Sequence, residues 1–304
     1  MSQSPVPHLL TEQSGIFADA TTSPREQLAF GLGVKLPLAQ GRHSTENFEA
    51  NFKALEKKAD YVKLLVVHEQ YVKAGKAAQD VVGLAVEMPF NEKHTELAAV
   101  YMRTLAKELC RKGEAQAAIS LLHAASKVCE RIPDPEMKLK ELMFTAETMQ
   151  PVAGALADDD KVTQFKQHGM PVLGDIVRKM EHVACADKTS KTIKQAWCLK
   201  FVSTCCRNLG DHEQSLERDK EAIELMTSRF GSSASKYRVF GVCQHNLATT
   251  YKNLSQHSRA EGIYLKAIES FQSANDWPNE ERKRKSITLS TSGLNEIQRF
   301  LSKN

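Results

Sequence analysis

The chain has 304 residues, 41% hydrophobic and 26% charged, which is enough to bury one long core or two ordinary ones. With only 10 Pro and 15 Gly it lacks the turn residues that a sandwich of short strands needs every ~8–12 positions, so helices are favoured. A net charge of +4 is too small to imply nucleic acid, and no run of about 18 apolar residues exists to span a membrane.

Residues 1–43 read as a leader that holds no helix, because Pro5, Pro7, Pro24 and Pro37, with Gly15, Gly31, Gly33 and Gly41, interrupt every candidate. The start, MSQSPVPHLL, has neither a basic region nor an apolar run, so no signal peptide is expected. Glu12, Asp19 and Glu26 are foreign to a mitochondrial presequence. A cytoplasmic location is the default expectation. Within the leader, Leu28 to Leu38 (LAFGLGVKLPL) is too apolar for a plain linker and is expected to pack back on the body or to dock on a partner. Gly31 and Gly33 form no nucleotide loop, since no third glycine follows at the needed spacing.

Helical texture begins at Ser44. Phe48, Phe52, Leu55, Ala59, Val62 and Val66 step by three and four residues and so share one helical face, with Ser44 and Thr45 as capping oxygens. The pattern breaks near Gly75, resumes through Val81 to Val86 and stops around Pro89, which predicts a helix, a tight turn and a second helix. The same grammar returns at 95–131, 189–230 and 234–274, and more loosely at 136–184, where Asp158, Asp159 and Asp160 are expected to cap a helix starting near Lys161. A last helix is expected over roughly 279–302. The division is therefore a leader (1–43), a repeat region of about five hairpins (44–275) and a capping helix (276–304).

Offsets from the turn residues expose a repeat. Around Gly113, Leu105 and Ala106 lie eight and seven residues before, and Ala118, Leu122 and Ala125 lie five, nine and twelve after. Around Ser255 the same offsets give Leu247, Ala248, Ala260, Tyr264 and Ala267; around Gly210 they give Val202, Ser203, Ser215, Asp219 and Ala222. Two helices joined by a short turn approach closely only where both present small side chains, and large residues one turn away fill the space between hairpins. With Gly75 as origin the pattern degrades to Val67, His68, Tyr71, Asp80, Leu84 and Glu87.

These segments, above all NLATTYKNLSQHSRAEGIYLKAIESF (246–271) and CCRNLGDHEQSLERDKEAIEL (205–225), resemble tetratricopeptide repeats. Gly210 and Ser255 are 45 residues apart, against a usual period of about 34, so the helices are longer, as in kinesin light chains. The resemblance implies an all-α fold, a right-handed α-solenoid of antiparallel helical hairpins. It also implies a protein–protein interaction scaffold or adaptor whose first helices line a groove for a peptide or helix. The alternatives are a sensor or cargo-binding module of a larger signalling ATPase or motor assembly, and a helical enzyme with an unfamiliar site.

No catalytic or metal-binding motif stands in the sequence: there is no HExxH, GxSxG, Walker loop or kinase signature, and neither cofactor nor metal is expected. Cys110, Cys129, Cys185, Cys198, Cys205, Cys206 and Cys243 form no CxxC pair, and their odd number suits reduced core thiols in a reducing compartment. The Lys–Asn clamp of the family's chaperone-binding members is not carried over, since its Asn members are missing at two of the corresponding sites.

The first-helix positions carry instead Arg103, Lys107 and Arg111, spaced four apart on one face, then Lys200, Thr204 and Arg207, then His245, Thr249 and Lys252. Such a stripe is either a groove for an acidic or phosphorylated peptide or a set of solvated helix surfaces. Trp197 and Phe201 beside it are either an apolar anchor or core. Arg282 to Lys285 reads as a nuclear localisation signal, a phosphate patch or the exposed side of the last helix; nucleic acid is not an expected partner, because only Trp277 is near. The oligomeric state is left open.

Overall fold

The computed structural model describes residues 45–88, 90–156 and 159–302, and among these it contains helices and turns but no strand. Helices α1 (Thr45–Val67) and α2 (Tyr71–Glu87) form the first hairpin, and α3 (Glu92–Arg111) and α4 (Ala115–Cys129) the second. Helix α5 (Pro135–Gly154) is followed by an interrupted arm: α6 (Asp159–Gln164), a π turn (Phe165–Gly169) and α7 (Met170–His182). Then come α8 (Lys188–Asn208) with α9 (His212–Phe230), a 3-10 turn (Gly231–Lys236), α10 (Arg238–Asn253) with α11 (His257–Ser273), and the closing α12 (Glu280–Leu301). Local signals set the starts. Asn91, Asp134, Asp187, Asp211 and Asn279 each accept a backbone N–H of the first turn that would otherwise lack a partner.

Four turns are copies of one another. Glu69, Gly113, Gly210 and Ser255 all take positive φ, at 58°, 85°, 74° and 60°. In each, the next residue donates its N–H five residues back: Gln70 to Leu65, Glu114 to Leu109, Asp211 to Cys206 and Gln256 to Tyr251. This left-handed closure satisfies the last carbonyls of the first helix and reverses the chain at once. The first turn therefore lies at 68–70 and not near Gly75, which is inside α2. A Cβ on Gly75 would sit 2.9 Å from Glu114 Oε2 and 3.6 Å from Ala117 Cβ, so this glycine serves the close approach of α2 to α4 and not a reversal.

With Glu69 as origin the first hairpin falls into register. Its offsets give Val62, Ala74, Ala78 and Val81, all fully buried like Ala106, Ala118, Ala248 and Ala260. Where the hairpins turning at Gly113 and Ser255 have Ala at both positions, α8 and α9 set Ser203 Oγ 3.0 Å from Ser215 Oγ.

Helices α1, α3, α5, α8 and α10 pack in that order as one row, and each also packs on its own second arm. Helix α12 lies chiefly on α11 and touches α10. One apolar core runs from Phe52 to Phe271, with a smaller cluster of Leu247, Tyr251, Tyr264, Leu294 and Ile297 under α12. Hairpins stacked side by side along a single core make an all-α solenoid. The looseness expected over 136–184 corresponds to the π turn, where the buried Phe165 ring occupies the space a Cβ on Gly169 would fill. The leader, with Leu28–Leu38, lies outside the described residues.

Candidate partner-binding face

The row of first helices carries the nine residues singled out by sequence, and the structure divides them into two sets. Arg103, on α3, is buried: its Nη1 lies 2.6 Å from Glu141 Oε2 on α5, with the two side chains 4% and 2% exposed. Its guanidinium also stands 5.6 Å from the Phe144 ring centroid. Lys200, on α8, is likewise buried and donates to Gln150 Oε1 on α5 at 2.9 Å. Burial, and secondarily the Arg207 charge, pushes its ammonium down to about 8. Arg207 Nη1 donates to Thr250 Oγ1 on α10 at 3.4 Å and lies 4.0 Å from the fully buried Asp219 on α9.

His245 Nδ1 is 2.8 Å from Ser290 Oγ on α12, and burial drives the imidazole down to about 3, so it is neutral in the fold. Thr249 Oγ1 is 3.0 Å from the Tyr264 hydroxyl. Lys252 Nζ donates to Glu296 Oε2 on α12 at 2.9 Å. Most of the stripe thus bonds one first helix to its neighbours.

What remains outward is narrower. Lys107 is half-exposed, and Arg111 is exposed with an ion pair to Glu108 at 2.6 Å one turn away. Such a surface pair is worth at most about 1 kcal/mol, so it yields readily to a partner carboxylate. Across the helix crossing, half-exposed Lys140 on α5 stands 5.7 Å from the Phe144 ring centroid, on the ring that Arg103 also approaches. Lys107, Arg111 and Lys140 are thus outward cations on the two helices that the buried Arg103–Glu141 pair joins, and they make up the candidate basic shelf. Trp197 stacks on Phe201 (5.8 Å between centroids, 26°) and carries the Arg238 guanidinium 5.1 Å from its ring. It is a mostly buried platform closed by a cation.

Sequence reasoning found Arg103 but missed Glu141, Lys140 and Arg238. Glu141 and Lys140 fall in the 136–184 region, where no small-residue triad fixes the register. The four matched turns and the unbroken helix row decide the architecture.

The fold is TPR-like. No family model matches the chain, and no curated protein matches it. Among solved structures, nearly identical TPR-like repeats from Podosopora anserina, described as a putative kinesin light chain, align over 72% of this chain and 95% of theirs at 14% identity and a TM-score of 0.40. A singly substituted form of the same repeats aligns equally well. At that identity and TM-score the likeness adds no weight to the assignment, which rests on the turns and the helix packing.

Away from that row lie a cavity and a buried polar cluster. A cavity of about 110 Å³ opens between α7, α8 and α9, its lining made of apolar residues such as Met180, Cys198 and Leu225 together with Glu181, Gln195 and Glu221. Inside the α8–α9–α10 junction, Asp219 belongs to a buried polar cluster with Ser203, Ser215, Arg207 and Thr250; burial pushes its carboxyl up to about 7, against the pull of Arg207. No His/Cys/Asp/Glu cluster able to hold a metal exists among the described residues, and none of their helices is long and apolar enough to cross a membrane.

Proposed function

We propose that the chain is a non-catalytic scaffold or adaptor that holds an acidic peptide or helix of another protein along its row of first helices. The observation that carries this is the α3–α5 shelf, where Lys107, Arg111 and Lys140 are left outward on two helices joined by the buried Arg103–Glu141 pair, with Lys140 5.7 Å from the Phe144 ring centroid. Cations on a fixed apolar floor suit a carboxylate or phosphate beside an apolar residue. The buried ionisable groups support a non-catalytic role, because Lys200, His245 and Arg207 are each committed to a residue on a neighbouring helix. A module of a larger assembly is the second reading, favoured by exposed Tyr61, Leu64, Val67 and Val72 at the α1–α2 end.

The test uses an array of acidic and phosphorylated peptides. Binding should weaken at least tenfold in Lys107→Glu/Lys140→Glu and fall with salt, while helicity stays unchanged. Equal binding by wild type and variant would remove the shelf as the site.

A further inference from the structure

The cavity between α7, α8 and α9 is not used by the basic row. It opens where two second arms part: α2 packs on α4, whereas α7 and α9 hardly meet, and α8 completes the walls of the space between them. Among the lining residues Met180, Cys198 and Leu199 are buried, Gln195 and Glu221 are half-exposed, and Glu181 is exposed. The shielded part of the lining is therefore apolar, and its carboxylates reach water.

Size and charge narrow what fits. A volume of about 110 Å³ is somewhat less than the roughly 150 Å³ of an apolar cavity that accepts benzene, which leaves room for a chain of about four carbons. None of the described residues lining it is a cation, so its two carboxylates make it acidic. Two cations stand beside it, and neither fills it. Arg218 donates to Glu221 Oε2 at 2.5 Å from one turn away, a surface pair of the kind that exchanges readily. Lys191 is engaged with the main-chain carbonyls of Glu181 and Val183, at 2.7 and 2.8 Å.

We propose that this cavity binds a primary ammonium carried on an unbranched chain of about four carbons, the chemistry shared by a lysine side chain and a short free alkylamine. The chain lies against Met180, Cys198 and Leu199, and the ammonium stays on the wet side with Glu181 and Glu221. Such a group buries its methylenes and keeps its charge hydrated, so it matches a lining that is apolar where dry and acidic where wet. An alkyl carboxylate of the same length would meet like charge. The inference is independent of the basic shelf, which takes a partner of the opposite charge.

The test is an NMR titration of the full chain carrying 13C-methyl methionine, with the Met180 signal assigned through Met180→Leu. Butylammonium should shift that methyl with a Kd of about 1 mM, which is what so few atoms can supply. Butanol, with the same body and no charge, should bind about fivefold more weakly, and butyrate not at all. Glu181→Gln/Glu221→Gln changes only side chains that reach water, so it should fold and bind amine and alcohol alike. Leu225→Trp, at a half-exposed lining position, should fill the space and abolish both shifts. Nα-acetyl-lysine methylamide separates the sources: tighter binding than butylammonium assigns the site to a partner's lysine, and weaker binding to a free amine. Equal affinity of wild type for amine and alcohol, unchanged amine affinity in the double Gln variant, or a Met180 signal that does not move at about 20 mM amine each overturns the proposal. The wild-type comparison of amine, alcohol and carboxylate decides the matter even where a variant misfolds.

Discussion

Removing the Arg103 side chain should be one of the most damaging single changes in the α3–α5 seam. Its Nη1 is 2.6 Å from Glu141 Oε2 with both side chains almost wholly out of water, so neither charge can recover hydration when its partner goes. Breaking a buried pair from one side costs about 3–5 kcal/mol, a large share of the ~5–15 kcal/mol that holds a typical domain. Arg103→Ala should therefore lower the urea midpoint strongly in far-UV circular dichroism. Arg103→Met/Glu141→Leu removes both charges and keeps the volume, so it should return most of that loss. Arg111→Ala is the control: its pair with Glu108 is exposed, and the change should stay within about 0.5 kcal/mol. If Arg103→Ala unfolds within about 0.5 kcal/mol of wild type, or the double variant is as unstable as the two singles added together, the pair is not the buried lock described here. For the same reason, charge reversal at Arg103 or Lys200 tests folding, and only Lys107, Arg111 and Lys140 test binding.

Three further outcomes follow from named contacts. A Cβ on Gly241 would lie 2.6 Å from Phe271 Cδ1, a buried ring, so Gly241→Ala should destabilise by about 1–3 kcal/mol in thermal melts, while Gly262→Ala, with open space around it, should be neutral or stabilising. Asp219 has its carboxyl raised to about 7 by burial, so between its unfolded pKa and that value the fold binds a proton the unfolded chain has lost. Stability measured against Asp219→Asn should accordingly fall as pH rises from about 4 to 7 and level off above; an unchanging difference would show that the carboxyl is ionised throughout. All seven cysteines are buried, with the thiols of Cys129, Cys198 and Cys206 pushed up to about 12, so a thiol reagent should label the native chain slowly and the urea-unfolded chain at once. Fast labelling of the native chain would contradict that burial.

The helices, their approximate lengths and the pairing of small residues were legible in the sequence, because a period of 3.6 and an Ala at a helix crossing are local constraints. Ala106 against Ala118 and Ala248 against Ala260 needed only the turn as origin. The first turn was misplaced because a glycine is the usual mark of a left-handed residue, and here Glu69 takes that conformation while Gly75 serves a helix contact. The site was less legible.

Arg103, Lys107 and Arg111 look equivalent at four-residue spacing, and their fates diverge only because α5 crosses α3 at the first of them and sets Glu141 against it. Sequence by itself determined which residues face one way on each helix, since that depends on helical rotation alone. Tertiary structure decided which of those faces meets water, since that depends on where the next hairpin lies. Burial then turned chemically identical cations into a lock at Arg103 and an available charge at Lys107.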